Sequence, residues 1–149
     1  MKFFEVSLLC ILFLFIHSID TNLIKIKSIN NKYYYTQKTH PLEASKILIS
    51  LELFINKLSH FLILENPTNF SLINKLKKKI IIKEIPIKYK EYTSYISNKR
   101  IIYICLRKDK HIFETNINEL YFIIMHELSH IITNKYGHHE KFWNNNKLI

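Results

Sequence analysis

Between His126 and His139 the chain carries four of its eight histidines, in HELSHIITNKYGHH, with a glutamate directly after the first. His126-Glu127-Leu128-Ser129-His130 is an H-E-x-x-H pentad. On a helix, residues four apart lie one above the other. Both imidazoles then reach one cation, at about 2.0–2.1 Å from each ring nitrogen. Glu127, beside the first ligand, is expected near enough to hydrogen-bond a water on the ion without ligating it. The ion lowers the pKa of that water toward ~7, and the carboxylate takes its proton as a carbonyl is attacked. The bland rival is a helix whose histidines only pack or face solvent.

A third ligand is within reach. Gly137, the one glycine in the chain, is placed to let the backbone turn back after the helix. His138 and His139 follow it, and either one returns to the metal. A metzincin pattern requires Gly at 133 and His at 136, where this chain has Thr133 and Tyr136. A thermolysin-like third ligand is a glutamate on a later helix, and Glu140, the one acidic residue after the pentad, is too close to serve. Three histidines and one open position are therefore expected, as in catalytic rather than structural zinc sites.

The elements that must position this group read as follows. Asn116 and Glu119 form an N-cap and capping-box-like pair, opening a helix from about Ile117 to Thr133. Upstream, Pro41 suits a first helical position. Ala44, Ile47, Leu48, Leu51, Phe54, Ile55, Leu58, Phe61 and Leu62 then recur at three- and four-residue steps, predicting an amphipathic helix that ends before Pro67. A shorter helix is expected from Asn69 to Lys79 with Phe70, Ile73 and Leu76 inward. Ile80-Ile81-Ile82 is a brief β-branched run. Residues 92–96 and 101–106 read as a hairpin around Ser97-Asn98-Lys99-Arg100. Tyr92, Tyr95 and Tyr103 line a groove or pack across strands; Arg107 orients substrate or caps the sheet. A sheet edge beside the pentad helix can pair with an extended peptide.

Residues 1–19, MKFFEVSLLCILFLFIHSI, are apolar apart from a few positions, and two readings stand. One is an uncleaved membrane anchor over residues 3–19; the other is a signal peptide, leaving a secreted or lumenal protein. Lys25, Lys27, Lys32 and Lys38 after the segment favour the anchor with the domain cytosolic. Residues 20–39 read as a linker or a single edge strand. Two cysteines, Cys10 and Cys105, give the folded part no internal disulfide. The net charge of +10 suggests an anionic partner. Lysine is spread along the whole chain, however, so the run Lys75–Lys79 is first a solvated helix end and second a phosphate-binding patch that would admit nucleic acid.

FIIMHELSHIITNKYGHHEKFW resembles the core of the WLM and SprT-like zinc metallopeptidases, whose pattern is HExxH, a variable turn, then G-H-x-x-x-F-W. It is most similar to the short membrane-anchored WLM-like proteins of large DNA viruses. Tyr92-Thr93-Ser94-Tyr95, Cys105-Leu106-Arg107 and Asn116–Asn118 match their further motifs in order. The resemblance covers residues 92–149 and the upstream helices only in layout. It implies an α+β, minimal zincin-like domain over residues 40–149. That domain has two helices, a small antiparallel sheet, the HExxH helix and a short C-terminal helix, all after an N-terminal apolar helix. It implies one Zn2+ on His126, His130 and His138, with His139 the less favoured substitute, Glu127 as general base, and protein or peptide substrates. Cellular relatives find DNA through tails for which this chain has no room beyond Trp143. An anchored zinc scaffold without hydrolysis is the alternative function.

Overall fold

The computed structural model describes residues 23–114, 116–133 and 137–149. The apolar stretch 1–19 and Cys10 lie outside the described residues. The order is a hairpin of β1 (Ile24–Lys27) and β2 (Tyr33–Thr36), helices α1 (Pro41–Glu65) and α2 (Phe70–Leu76), and strand β3 (Ile81–Glu84). After a 3-10 turn at Ile87–Tyr89 come β4 (Ser94–Ser97), β5 (Ile101–Ile104), β6 (Arg107–Asp109) and β7 (Ile112–Phe113). Helices α3 (Ile117–Ile132) and α4 (Glu140–Asn146) complete the α+β fold.

Helix α1 begins at Pro41 and stops short of Pro67, as its spacing predicts. Ala44, Leu48, Leu51 and Ile55 are buried on one stripe, against Ile82 and Ile104 of the sheet and Leu120, Ile124 and Leu128 of α3. Each such Leu or Ile contributes about 1.5–3 kcal/mol on burial, so this seam fixes the pentad helix relative to the sheet. By length and composition α1 is also the one described helix that could cross a membrane. Phe61 and Phe70 turn outward instead, at 55% and 73% exposed. Leu72 and Leu76 take the inward positions of α2.

The sheet is mixed, ordered β3-β5-β4, rather than antiparallel throughout. β3 runs parallel to β5 with Ile82 opposite Ile102, and β4 runs antiparallel to β5 with Tyr95 opposite Tyr103. The cause is β5 itself. Ile102, Tyr103 and Ile104 are all buried, which suits a central strand covered on both faces. The chain therefore crosses from β3 past that place and returns as β4 on the far edge. Asn98 and Lys99 both take positive φ, 53° and 52°. Arg100 N–H closes the turn on Ser97 O at 3.2 Å, the handedness that matches hairpin twist.

Residues 24–36, expected as a linker or one edge strand, form the two-stranded β1–β2 hairpin. It is tied to α1 by the Ser28–Ser45 hydroxyl pair at 2.6 Å and by Tyr34 donating to Glu52. The polar stretch after β5 folds into the small β6–β7 hairpin.

Candidate metal centre

Helix α3 opens where its cap predicts. The Asn116 side chain accepts from Asn118 N–H and donates to Glu119. Its apolar face is anchored by Leu120, Ile124, Leu128 and Ile131, which leaves His126 and His130 one turn apart at the margin of the core. Gly137 then adopts φ +84°, a left-handed conformation open to glycine without steric cost. The turn brings His138 back over the helix.

The three rings converge through their Nε2 atoms. His126 Nε2 lies 3.2 Å from that of His130 and 3.1 Å from that of His138. All three candidate ligand nitrogens fall within 4.8 Å of one another. A tetrahedral ion with bonds of ~2.0–2.1 Å spaces its ligands about 3.3–3.4 Å apart, close to the separations of His126 from His130 and from His138. The three histidines are close enough to bind a metal ion.

Phe142 supports the group from below. It is fully buried, and its ring centroid sits 5.1, 4.3 and 4.7 Å from those of His126, His130 and His138. Trp143 flanks His138 at 5.8 Å. Burial first, then charge on His126, His138 and Lys99, pushes the His130 imidazole down to about 4 from its ordinary 6.5. That keeps the ring neutral, the form that ligates.

Glu127 follows His126 directly on α3, is 5% exposed and faces β4. Ser94 on β4 donates to its Oε1 at 2.6 Å. Among the described residues Oε2 takes no hydrogen bond. A carboxylate is thus held by one oxygen beside three imidazoles.

His139 does not join the trio. It is exposed and stands at the N-cap of α4. His40, His60 and His111 also lie apart from the trio, though His40 and His111 meet edge to face at 5.7 Å.

Arg107 proves to be structural. Its guanidinium pairs with Glu84, both side chains almost wholly buried, and also donates to Thr39 O at 2.6 Å and Lys110 O at 3.1 Å. Glu84 in turn accepts from Gln37 N–H, so the pair locks β3, β6 and the segment leading to α1. Tyr95 and Tyr103 stack at 4.6 Å as cross-strand partners, which is packing rather than a groove wall.

Several supporting residues carry no periodic signal. Ser129 donates to Asn146 and Asn145 donates to Thr133, tying α4 to α3. Lys99 donates to His130 O at 2.9 Å and Lys75 to Ile132 O at 2.7 Å. Both satisfy carbonyls at the α3 C-terminus that have no partner within the helix. Ser94 is separated from Glu127 by the whole of β5 and the β6–β7 hairpin. In each case only the type of residue, a short polar side chain or a lysine, hints at the role.

Comparison with protein families, with curated proteins and with solved structures returns no match to this chain.

Proposed function

We propose that this chain is a zinc-dependent peptidase of the WLM and SprT-like kind, built on a zincin-like pairing of α3 with the mixed sheet. The observation that carries the reading is three imidazole nitrogens within 4.8 Å of one another, two of the pairs at 3.1 and 3.2 Å, with a buried carboxylate on the residue after the first. Three imidazoles in that geometry suit zinc and leave a fourth place open. Zinc held there supplies a Lewis acid that acidifies water and polarises a carbonyl. Glu127 accepts the proton at Oε2 and delivers it to the departing amide nitrogen. Ser94 keeps Oε1 engaged, so the carboxylate presents one fixed oxygen.

The edge of β4 gives the substrate its place. Cys105 N–H bonds Thr93 O at 2.8 Å. Tyr95 and Ser97 therefore share the hydrogen-bonded register with β5, and the backbone groups of Ser94 and Ile96 face the open edge. An extended peptide pairing there passes Glu127. Residues 3–19 as an anchor hold the domain at a membrane, on its cytosolic side. An anchored zinc scaffold without hydrolysis leaves Glu127 with no task.

The test is Glu127→Gln in the zinc-loaded protein. It should keep one zinc per chain and lose cleavage of an unfolded protein substrate by a factor of about 10²–10⁴. Equal cleavage by wild type and variant contradicts the reading. Zinc that restores only the melting temperature of chelated protein, and no cleavage, supports the scaffold instead.

A further inference from the structure

A cavity of about 210 Å³ lies against the C-terminal end of α3. Lys75 and Lys78 from the α2 segment, Lys99 and Arg100 from the β4–β5 turn, and Asn98 and Thr133 line it. Four of these side chains are cationic, and no carboxylate shares the lining. Lys75 and Lys99 are held in place by the carbonyls of Ile132, His130 and Thr133. Burial, then the nearby charges of Lys141, Lys99 and Lys78, lowers the proton affinity of the Lys75 ammonium. Like charges collected into one recess are relieved by an anion.

The recess stands in register with the active site. β4 and α3 run side by side in the same sense: Ser94 touches Glu127, and five residues on Lys99 touches the carbonyl of His130. From Glu127 to Thr133 is about 9 Å along the helix at ~1.5 Å per residue. On an extended peptide that distance is about three residues at ~3.4 Å each. A peptide antiparallel to β4 runs from the turn toward Ser94, so its N-terminal part passes the recess.

Resting on the peptidase reading, we propose that the cleft selects peptides with an aspartate or glutamate about three residues before the cleaved bond, the carboxylate entering the Lys75–Lys78–Lys99–Arg100 recess. A nucleic acid fits less well. Single strands are held by an extended basic track with aromatic stacking platforms, and this recess is small and has no aromatic residue in its lining.

Binding is read first, so that the test does not depend on turnover. Zinc-loaded Glu127→Gln protein is titrated with labelled twelve-residue peptides identical except for one Asp or Asn, the position being moved along the series. The expected result is about three- to fivefold tighter binding of the best Asp peptide over its Asn partner at low salt. That preference should fade as salt rises. It should vanish in Lys78→Ala/Arg100→Ala, two exposed side chains, with zinc content unchanged and a small drop in melting temperature from the lost Arg100 bonds to Lys79 O. Lys78→Gln alone should give an intermediate preference. An Asp series indistinguishable from the Asn series overturns the proposal. So does an oligonucleotide of equal charge that binds more tightly and shows the same dependence on Lys78 and Arg100. Wild-type protein that prefers acidic peptides yet cleaves none keeps the recess and sinks the peptidase reading, so the two failures separate.

Discussion

Phe142→Ala removes the ring on which the three imidazoles rest. The side chain is fully buried, and its centroid lies 4.3–5.1 Å from those of all three histidines. Truncating a buried Phe to Ala costs about 3–5 kcal/mol, the lost transfer energy plus that of the cavity. Ring-on-ring contacts add ~0.5–1.5 kcal/mol each beyond their area. Against this, α4 is only seven residues long and can settle into part of the space, which favours the lower half of the range. A loss of about 3–4 kcal/mol follows for metal-free protein. In a domain of this size that lowers the melting temperature by on the order of 10–15 °C. Loss of the support that orients the ligands should also weaken zinc binding about 10–100-fold. Urea unfolding of metal-free protein and chelator competition of loaded protein measure the two effects. Phe142→Leu keeps most of the volume and should cost less than ~1.5 kcal/mol. An alanine variant that melts within about 3 °C of wild type and binds zinc as tightly refutes the role given to this ring.

Ser94→Ala should leave zinc content unchanged and lower kcat about tenfold with little change in KM, because it frees Glu127 Oε1 and not the ligands; steady-state kinetics on a peptide checks it, and unchanged kcat contradicts it. Arg107→Leu strands the buried Glu84 carboxylate and should cost about 3–5 kcal/mol in urea unfolding; a loss under ~1 kcal/mol contradicts the buried pair. For His130 the sign follows from its lowered value of about 4. Folded, metal-free protein binds fewer protons there than the unfolded chain between about pH 4 and 6.5. The contribution is thus complete above the ordinary 6.5 and is lost as pH falls through about 4. Imidazole NMR of chelated protein should show His130 neutral down to that range; titration near 6.5 refutes it.

What was legible in the chain was local. Three- and four-residue spacing placed α1 between Pro41 and Pro67, and the Asn116–Glu119 pair marked the start of α3. The pentad and Gly137 pointed to His126, His130 and one of His138 and His139, because helix geometry and one left-handed residue turn the chain back; the choice of His138, which lies with the other two, came from the resemblance alone. What escaped was long-range and polar. Arg107 finds Glu84 and Thr39 across three elements, Ser94 finds Glu127, and Asn145 and Asn146 find the end of α3. No periodicity encodes such partners. Phe70 fits an inward helical pattern as well as Leu72 does, and only the position of α2 against Ile132 decides between them. The parallel pairing of β3 with β5 likewise depends on which strand can be covered on both faces, a property of the assembled sheet.

The central claim is that three imidazoles hold one zinc and leave a fourth place to water. X-ray absorption on the zinc-loaded full-length protein, with elemental analysis of the same sample, tests this most directly. The account predicts one zinc per chain bound by three imidazole nitrogens at about 2.0–2.1 Å and one exchangeable oxygen. It also predicts that His138→Ala loses the ion while His139→Ala keeps it. No stoichiometric metal, or four protein ligands around it, would contradict the account.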